Sequence, residues 1–244
     1  MSGHSKWNNI KNKKEKTDAQ KGKIFTKIGK EIAICVREGG GDPNTNGKLR
    51  DLIAKAKANN VPNDNIDRAI KKAMGAEAVQ YEEIVYEGYG PKGIAVIVEA
   101  LTDNRNRTAG DVRHYFDKYG GNMGQSGSVS FMFTKQGVII LEQEGIDEEK
   151  LMEDALEAGA TDFLTDDGIY EIRTDPYDCG AVSSALADKG YTFLSADVAY
   201  IPSNYVALTD PDDITAMGKM LEMFEDNDDI QGVWHNWENA DDAE

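Results

Sequence analysis

The first regular pattern of apolar positions begins after residue 16, where Thr17 and Gln20 stand at capping-box spacing. Ile24, Ile28, Ile32 and Cys35, joined by Phe25 and Val36, then recur on one helical face. Gly39–Gly41 with Asp42 and Pro43 ends that helix. Leu49, Leu52, Ile53 and Ala56 predict a second helix that stops before Val61 and Pro62. Ile66, Ile70, Ala73 and Met74 predict a third, closed by Gly75. Three short helices with short connections make a small all-α domain over residues 17–78, preceded by a flexible arm at 1–16.

After Gly75 the period changes. Glu83–Glu87 and Ile94–Ala100 read as strands about a Gly-Tyr-Gly-Pro turn, followed by a helix from Thr108 to Tyr119 and a strand at Gly127–Phe133. Gly137–Gln143, Asp147–Ala158, Asp162–Thr165, Ile169–Thr174, Tyr177–Lys189 and Phe193–Tyr200 then read β-α-β-β-α-β, the ferredoxin-like order. Pro202 follows, and Asn204–Leu208, Pro211–Glu225 and Ile230–His235 give strand, helix, strand. A closed unit over 135–202 leaves incomplete sets on both sides, so 79–134 and 203–239 are expected to pair as one discontinuous domain. The expected fold class is α+β and multidomain: a three-helix domain, then two ferredoxin-like α/β domains, the third inserted into the second. Residues 240–244 form an acidic tail.

Composition changes this picture little, and charge changes it a great deal. The 244 residues are 40% hydrophobic, enough for packed domains, with no apolar run long enough for a membrane span and no apolar segment after the N-terminal lysines to act as a secretory signal. Cys35 and Cys179 lie far apart and read as buried thiols of a reducing cytosol, so a cytoplasmic location is expected. The net charge of −17 conceals a split. Nine lysines fall in the first 30 residues, and up to Gly75 there are 17 Lys/Arg against 8 Asp/Glu; beyond it there are 10 against 36. A cationic arm and helical domain on an anionic body point to contact with a polyanion through one end.

No catalytic constellation accompanies that split. Gly88, Gly90 and Gly93 match G-x-G-x-x-G, but Pro91 and a β-rich run follow where a dinucleotide site needs a helix, so a hairpin turn is the better reading. The Gly124–Ser128 segment fails the nucleophile-elbow register. His4, His114 and His235 sit in three separate elements, and no metal-ligand spacing exists. Met217, Met220 and Met223 with Leu221 and Phe224 read as a core stripe. No cofactor or metal is expected, and no enzyme; an activity in an interdomain cleft is the remote alternative.

Two polar segments carry the binding expectations. Lys6, Lys11, Lys13, Lys14, Lys21, Lys23, Lys27 and Lys30 supply sequence-independent phosphate contacts, with Trp7 or His4 placed to stack on a base. Trp7 could equally anchor the arm on the protein itself. Asp103–Arg107 leads into the helix at Thr108, where Arg105 and Arg107 could hold a phosphate. The competing reading makes that segment a capped loop.

Several of these motifs occur together in one known family. GHSKW at 3–7, GKIFTKI at 22–28, GGGDP at 39–43, YEGYGP at 86–91, DNRNRT at 103–108, GSVSFMF at 127–133 and VWHN at 233–236 give the chain a resemblance to the YebC family over nearly its whole length. The resemblance implies three domains around a broad cleft, no enzymatic activity and no cofactor. It implies a cytoplasmic DNA-binding transcriptional regulator, or a ribosome- and RNA-associated translational activator like the mitochondrial relatives. The helices carry no strong helix-turn-helix signal. Both nucleic acids therefore remain open as partners, as do the ribosome and basic proteins; no membrane partner is expected, and the oligomeric state is not set by sequence.

Overall fold

The computed structural model describes residues 18–76, 78–166 and 168–240, with side chains from residue 22 onward. Contacts divide the described residues into two compact units, one formed by residues 18–128 with Thr215–Val233, the other by Val129–Ile214 with residues 234–240.

The first unit opens with helices α1 (Asp18–Gly39), α2 (Gly47–Ala58) and α3 (Asn63–Ala73). Their predicted stripes meet in one core of Ile28, Ile32, Val36, Leu49, Leu52, Ala56, Val61 and Ile66. Each such aliphatic side chain, taken fully out of water, contributes about 1.5–3 kcal/mol. The stop at GGGDP has a specific cause. Asn46 is buried, caps α2 by accepting from Leu49 N at 3.1 Å, and donates to the carbonyls of Cys35 and Gly40 at 2.9 Å each. A Cβ at Gly39 would come within 2.7 Å of that amide, and Gly40 has φ +83°, so neither position accepts a side chain without strain.

The first sheet has the order β3-β1-β2-β8, with β1 Glu82–Tyr89, β2 Ala95–Thr102, β3 Asn122–Met123 and β8 Ile230–His235. Strands β1 and β2 form an antiparallel hairpin from Glu82↔Thr102 to Tyr89↔Ala95. Gly90 N donates to Ile94 O at 2.7 Å across the turn. Each glycine of the G-x-G-x-x-G match has a packing or backbone reason. A Cβ at Gly88 would lie 2.7 Å from both Asn122 O and the Phe116 ring, one at Gly90 would lie 2.8 Å from Met217 Sδ, and Gly93 has φ +82°. The hairpin reading holds. Gly88→Ala should therefore destabilise by about 1–3 kcal/mol, the usual range for overpacking, read as a lowered urea midpoint at unchanged m-value.

Helix α4 (Arg105–Lys118) and the part of α7 (Pro211–Asp226) from Thr215 onward lie in the first unit, and their buried faces meet through Phe116 and Phe224, ring centroids 5.2 Å apart at 64°. Met217, Met220 and Phe224 are buried, so the methionine stripe is core.

The second sheet runs β5-β6-β4-β7, from β4 Phe133–Glu142, β5 Asp162–Asp166, β6 Ile169–Thr174 and β7 Ser195–Pro202. Helices α5 (Glu148–Ala158) and α6 (Cys179–Asp188) share a core with Ile139, Leu141, Tyr170 and Ile172. All its pairings are antiparallel, which with this strand order is the expected ferredoxin-like arrangement. In sequence, these strands fall between β3 and β8 of the first sheet.

Three expected elements differ. The strand expected at 127–133 does not form, and β4 begins only at Phe133: residues 124–132 instead form turns and a 3-10 segment at Ser130–Met132, with Gly127 at φ +88° and its N–H donated to Glu87 Oε1 at 2.8 Å. Gly137 does not interrupt β4, because its missing Cβ leaves room for Thr174 Oγ1 and Cys179. The strand at Asn204–Leu208 is reduced to one parallel bridge, Val206↔Trp237, because the Asn239 side chain takes over the Leu208 amide and carbonyl, both at 2.8 Å. Helix α4 starts three residues before Thr108, since Asn104 caps it by accepting from Arg107 N at 3.1 Å.

Candidate nucleic-acid interface

Of the expected contact residues, Lys6, Trp7, Lys11, Lys13 and Lys14 lie outside the described residues, as does the side chain of Lys21. Lys23, Lys27 and Lys30 are described, and their i, i+4, i+7 spacing places them on one side of α1. That side faces the end of α7 and the turn after it. Lys23 Nζ meets Asp226 Oδ1 at 2.5 Å, Lys27 Nζ donates to Glu225 O at 3.3 Å, and Lys30 Nζ donates to Asp228 O at 2.8 Å. Ammonium groups at a helix C-terminus meet carbonyls that have no partner within the helix.

Among the expected phosphate contacts, Lys30 is set apart by its burial. It is 9% exposed, donates to Leu101 O at 3.3 Å and pairs with Asp229 Oδ1 at 2.6 Å. The other oxygen of Asp229 accepts from Arg107 Nη2 at 2.7 Å and from Thr108 Oγ1 at 2.8 Å, with Thr102 Oγ1 at 3.2 Å. Burial alone would raise the Asp229 pKa; the hydrogen bonds from Lys30, Arg107 and Thr108 outweigh it and hold the carboxyl at about 2. A lysine so placed joins α1 to the first sheet and has no donor to spare for a phosphate.

Arg107 is likewise engaged, with Asp229 on one side and Asp103 Oδ1 at 2.7 Å on the other. These hydrogen bonds raise its pKa further. A hollow of about 350 Å³ beside it is lined by Asp103, Asp111, Asp228 and Asp229 against Lys30 and Arg107. Four carboxylates against two cations make a poor phosphate site, so the reading of this segment as a capped turn is the one that fits. Arg105 is exposed in the first turn of α4 and makes no hydrogen bond or ion pair among the described residues.

The other α1 charges whose side chains are described are engaged within the first unit. Glu31 and Glu38, two turns apart, pair with Lys55 at 3.3 Å and Lys48 at 3.6 Å on α2, while Arg37 Nη1 donates to Tyr81 O at 3.3 Å. The cations left on α2 and α3 are exposed. Lys57, Arg68, Lys71 and Lys72 have no ion pair among the described residues, and Arg50 meets only its neighbour Asp51, at 4.0 Å. Sequence reasoning passed over these five residues because the lysine-rich N-terminus offered a denser signal. The one clue available was helical phase, which places them off the apolar stripes.

Among the described residues no group of three or more His, Cys, Asp or Glu could hold a metal ion, both cysteines are free, and no helix is long and apolar enough to cross a membrane.

A helical domain with surplus cations, leading into antiparallel α/β units rich in carboxylates, defines a class of multidomain α+β protein. The chain belongs to the TACO1/YebC family: residues 5–76 match its N-terminal domain and residues 81–237 its second and third domain. It is 58% identical to a probable transcriptional regulatory protein of Finegoldia magna, over 98% of this chain and 100% of that one. A protein of the same description from Ruminiclostridium cellulolyticum is 59% identical, over 100% and 99%. A crystal structure of a conserved hypothetical protein from Aquifex aeolicus superposes with a TM-score of 0.81 at 42% identity, covering 91% of this chain and 92% of that one.

Proposed function

We propose that the chain is a non-enzymatic, cytoplasmic, nucleic-acid-binding regulator of gene expression that docks through its basic arm and helical domain. The observation that carries this reading is the charge division at Gly75, 17 Lys/Arg against 8 Asp/Glu before it and 10 against 36 after it. The description of its relatives as probable transcriptional regulatory proteins supports the same class. Lys6, Trp7, Lys11, Lys13 and Lys14 are the proposed contacts of the arm and Lys21 that of the start of α1, with Lys23, Lys27 and Arg105 at the margin. The proposed domains are 17–78, 79–134 with 203–239, and 135–202.

A second reading, an RNA-binding factor of translation, is favoured by α3. Its N-terminal half, where a DNA-reading helix carries its base contacts, bears exposed Asp64 and Asp67. The test is binding of the full chain to duplex DNA and to structured RNA across a salt series. Log affinity should fall with log salt by about 0.7–0.9 per phosphate contacted, and deleting residues 2–16 should make that slope shallower. An arm deletion that leaves both affinity and slope unchanged would falsify docking through the arm.

A further inference from the structure

We infer that the helical domain holds nucleic acid on two exposed cationic rows, Arg50 and Lys57 on α2 and Arg68, Lys71 and Lys72 on α3, and that the occupant is the phosphate backbone of a structured RNA. This rests on the nucleic-acid reading above. It differs from that reading in where the grip lies: not on α1, whose Lys23, Lys27 and Lys30 are turned to the acidic end of α7, but on the two helices after it.

Neutralisation inside the domain picks out the rows. On α2, Lys48 and Lys55 lie on the flank that faces α1 and are matched by Glu38 and Glu31. Arg50 and Lys57 recur at i, i+7 on the other flank, about 10 Å apart along the axis at 1.5 Å per residue. On α3, Arg68, Lys71 and Lys72 stand at i, i+3, i+4, with the aliphatic Met74 side chain exposed just beyond them. The connection Asn59–Pro62 between the helices is four residues long, with Asn60 at φ +58°, so the rows belong to one compact helix pair. Asp51, Asp64 and Asp67 are the carboxylates of these two helices, and two of the three stand in the N-terminal half of α3, away from its cationic end.

That distribution selects the partner. The first turns of α3 would face the phosphate-lined walls of a DNA major groove with two carboxylates, which opposes insertion. Contact by cations to phosphates alone cannot choose an operator, because phosphates carry no sequence. A structured RNA is selected by its shape and backbone, so phosphate contacts suffice for it. Cations at the end of α3 also complement the helix dipole; the readout must therefore be binding rather than stability.

The experiment compares the full chain with a variant carrying Arg50→Gln, Lys57→Gln, Arg68→Gln, Lys71→Gln and Lys72→Gln, on 20-base-pair RNA and DNA duplexes in a salt series. The expected result is tighter binding of the parent chain to RNA, and a log–log salt slope shallower by ~4.5 in the variant, at ~0.9 per lost contact on a duplex. The smaller variant Lys71→Gln with Lys72→Gln, confined to exposed side chains, should lose ~1.8 of that slope. Lys71→Arg with Lys72→Arg should keep it. A parent chain that binds neither duplex removes the functional reading itself. A parent chain that binds while both Gln variants keep its slope removes this face and leaves the functional reading standing. Tighter binding to DNA than to RNA overturns the assignment of the face to RNA.

Discussion

Asp229→Ala should lower the stability of the protein by about 3–5 kcal/mol, the loss expected when one member of a buried ionic set is removed and the others stay behind. The carboxylate is 8% exposed and receives Lys30, Arg107, Thr102 and Thr108. Its removal leaves an ammonium with 10% exposure that keeps only two carbonyl acceptors. Lys30→Met should cost less, because Asp229 retains Arg107 and Thr108 while the methionine keeps most of the buried stem. Thermal unfolding of the two single variants and the double variant measures the coupling. Additive losses would mean that Lys30 and Asp229 do not act as a pair. Acid acts on the same carboxyl. Its pKa is about 2 in the fold against an ordinary 3.8, so its contribution of about 2 kcal/mol is complete above pH 4 and lost as pH falls through 2.

A second large effect is expected from His235. The ring is fully buried on β8 and burial holds its pKa at about 4, against an ordinary 6.5; its Nδ1 accepts from Trp237 N at 3.3 Å. The unfolded chain takes up a proton near pH 6.5, whereas the fold refuses it until about pH 4. Stability from this group is therefore complete above 6.5 and declines as pH falls towards 4, by about 3 kcal/mol in all. Urea midpoints of the parent chain and of His235→Asn, compared between pH 7 and 4.5, isolate the contribution. The parent should lose stability faster on acidification. Parallel curves would show that the imidazole is protonated in the fold.

These sites differ in how much of them could be read from residues alone. The three helices were legible because Ile28, Ile32 and Val36, then Leu49, Leu52 and Ala56, repeat at 3.6-residue spacing within a few turns. The ferredoxin-like order was legible because strands and helices alternate with clear glycine turns, such as Gly159 and Gly168, both at positive φ. The start of β4 at Phe133 was not. Gly127 and Gly137 look alike in sequence, yet one ends a turn and the other makes room for the side chains of Thr174 and Cys179. Helix α4 begins early for a local reason that the sequence carries: Asn104 is a good cap and stands ahead of Thr108.

The charge division at Gly75, the helical periodicities, the hairpin glycines and the order of elements are properties of the sequence itself, because each arises from residues near one another along the chain. Which lysines are free to meet a phosphate is not such a property. Lys30 finds Asp229 across 199 positions, and Arg107 finds the same carboxylate across 122. No periodic pattern links partners so distant, since only the closed tertiary structure brings α1, α4 and the turn before β8 to one point. Net charge could be counted before folding; its neutralisation could be assigned only after it. The basic domain is therefore written in the sequence, while its exposed cationic rows on α2 and α3 are selected by how α1 packs.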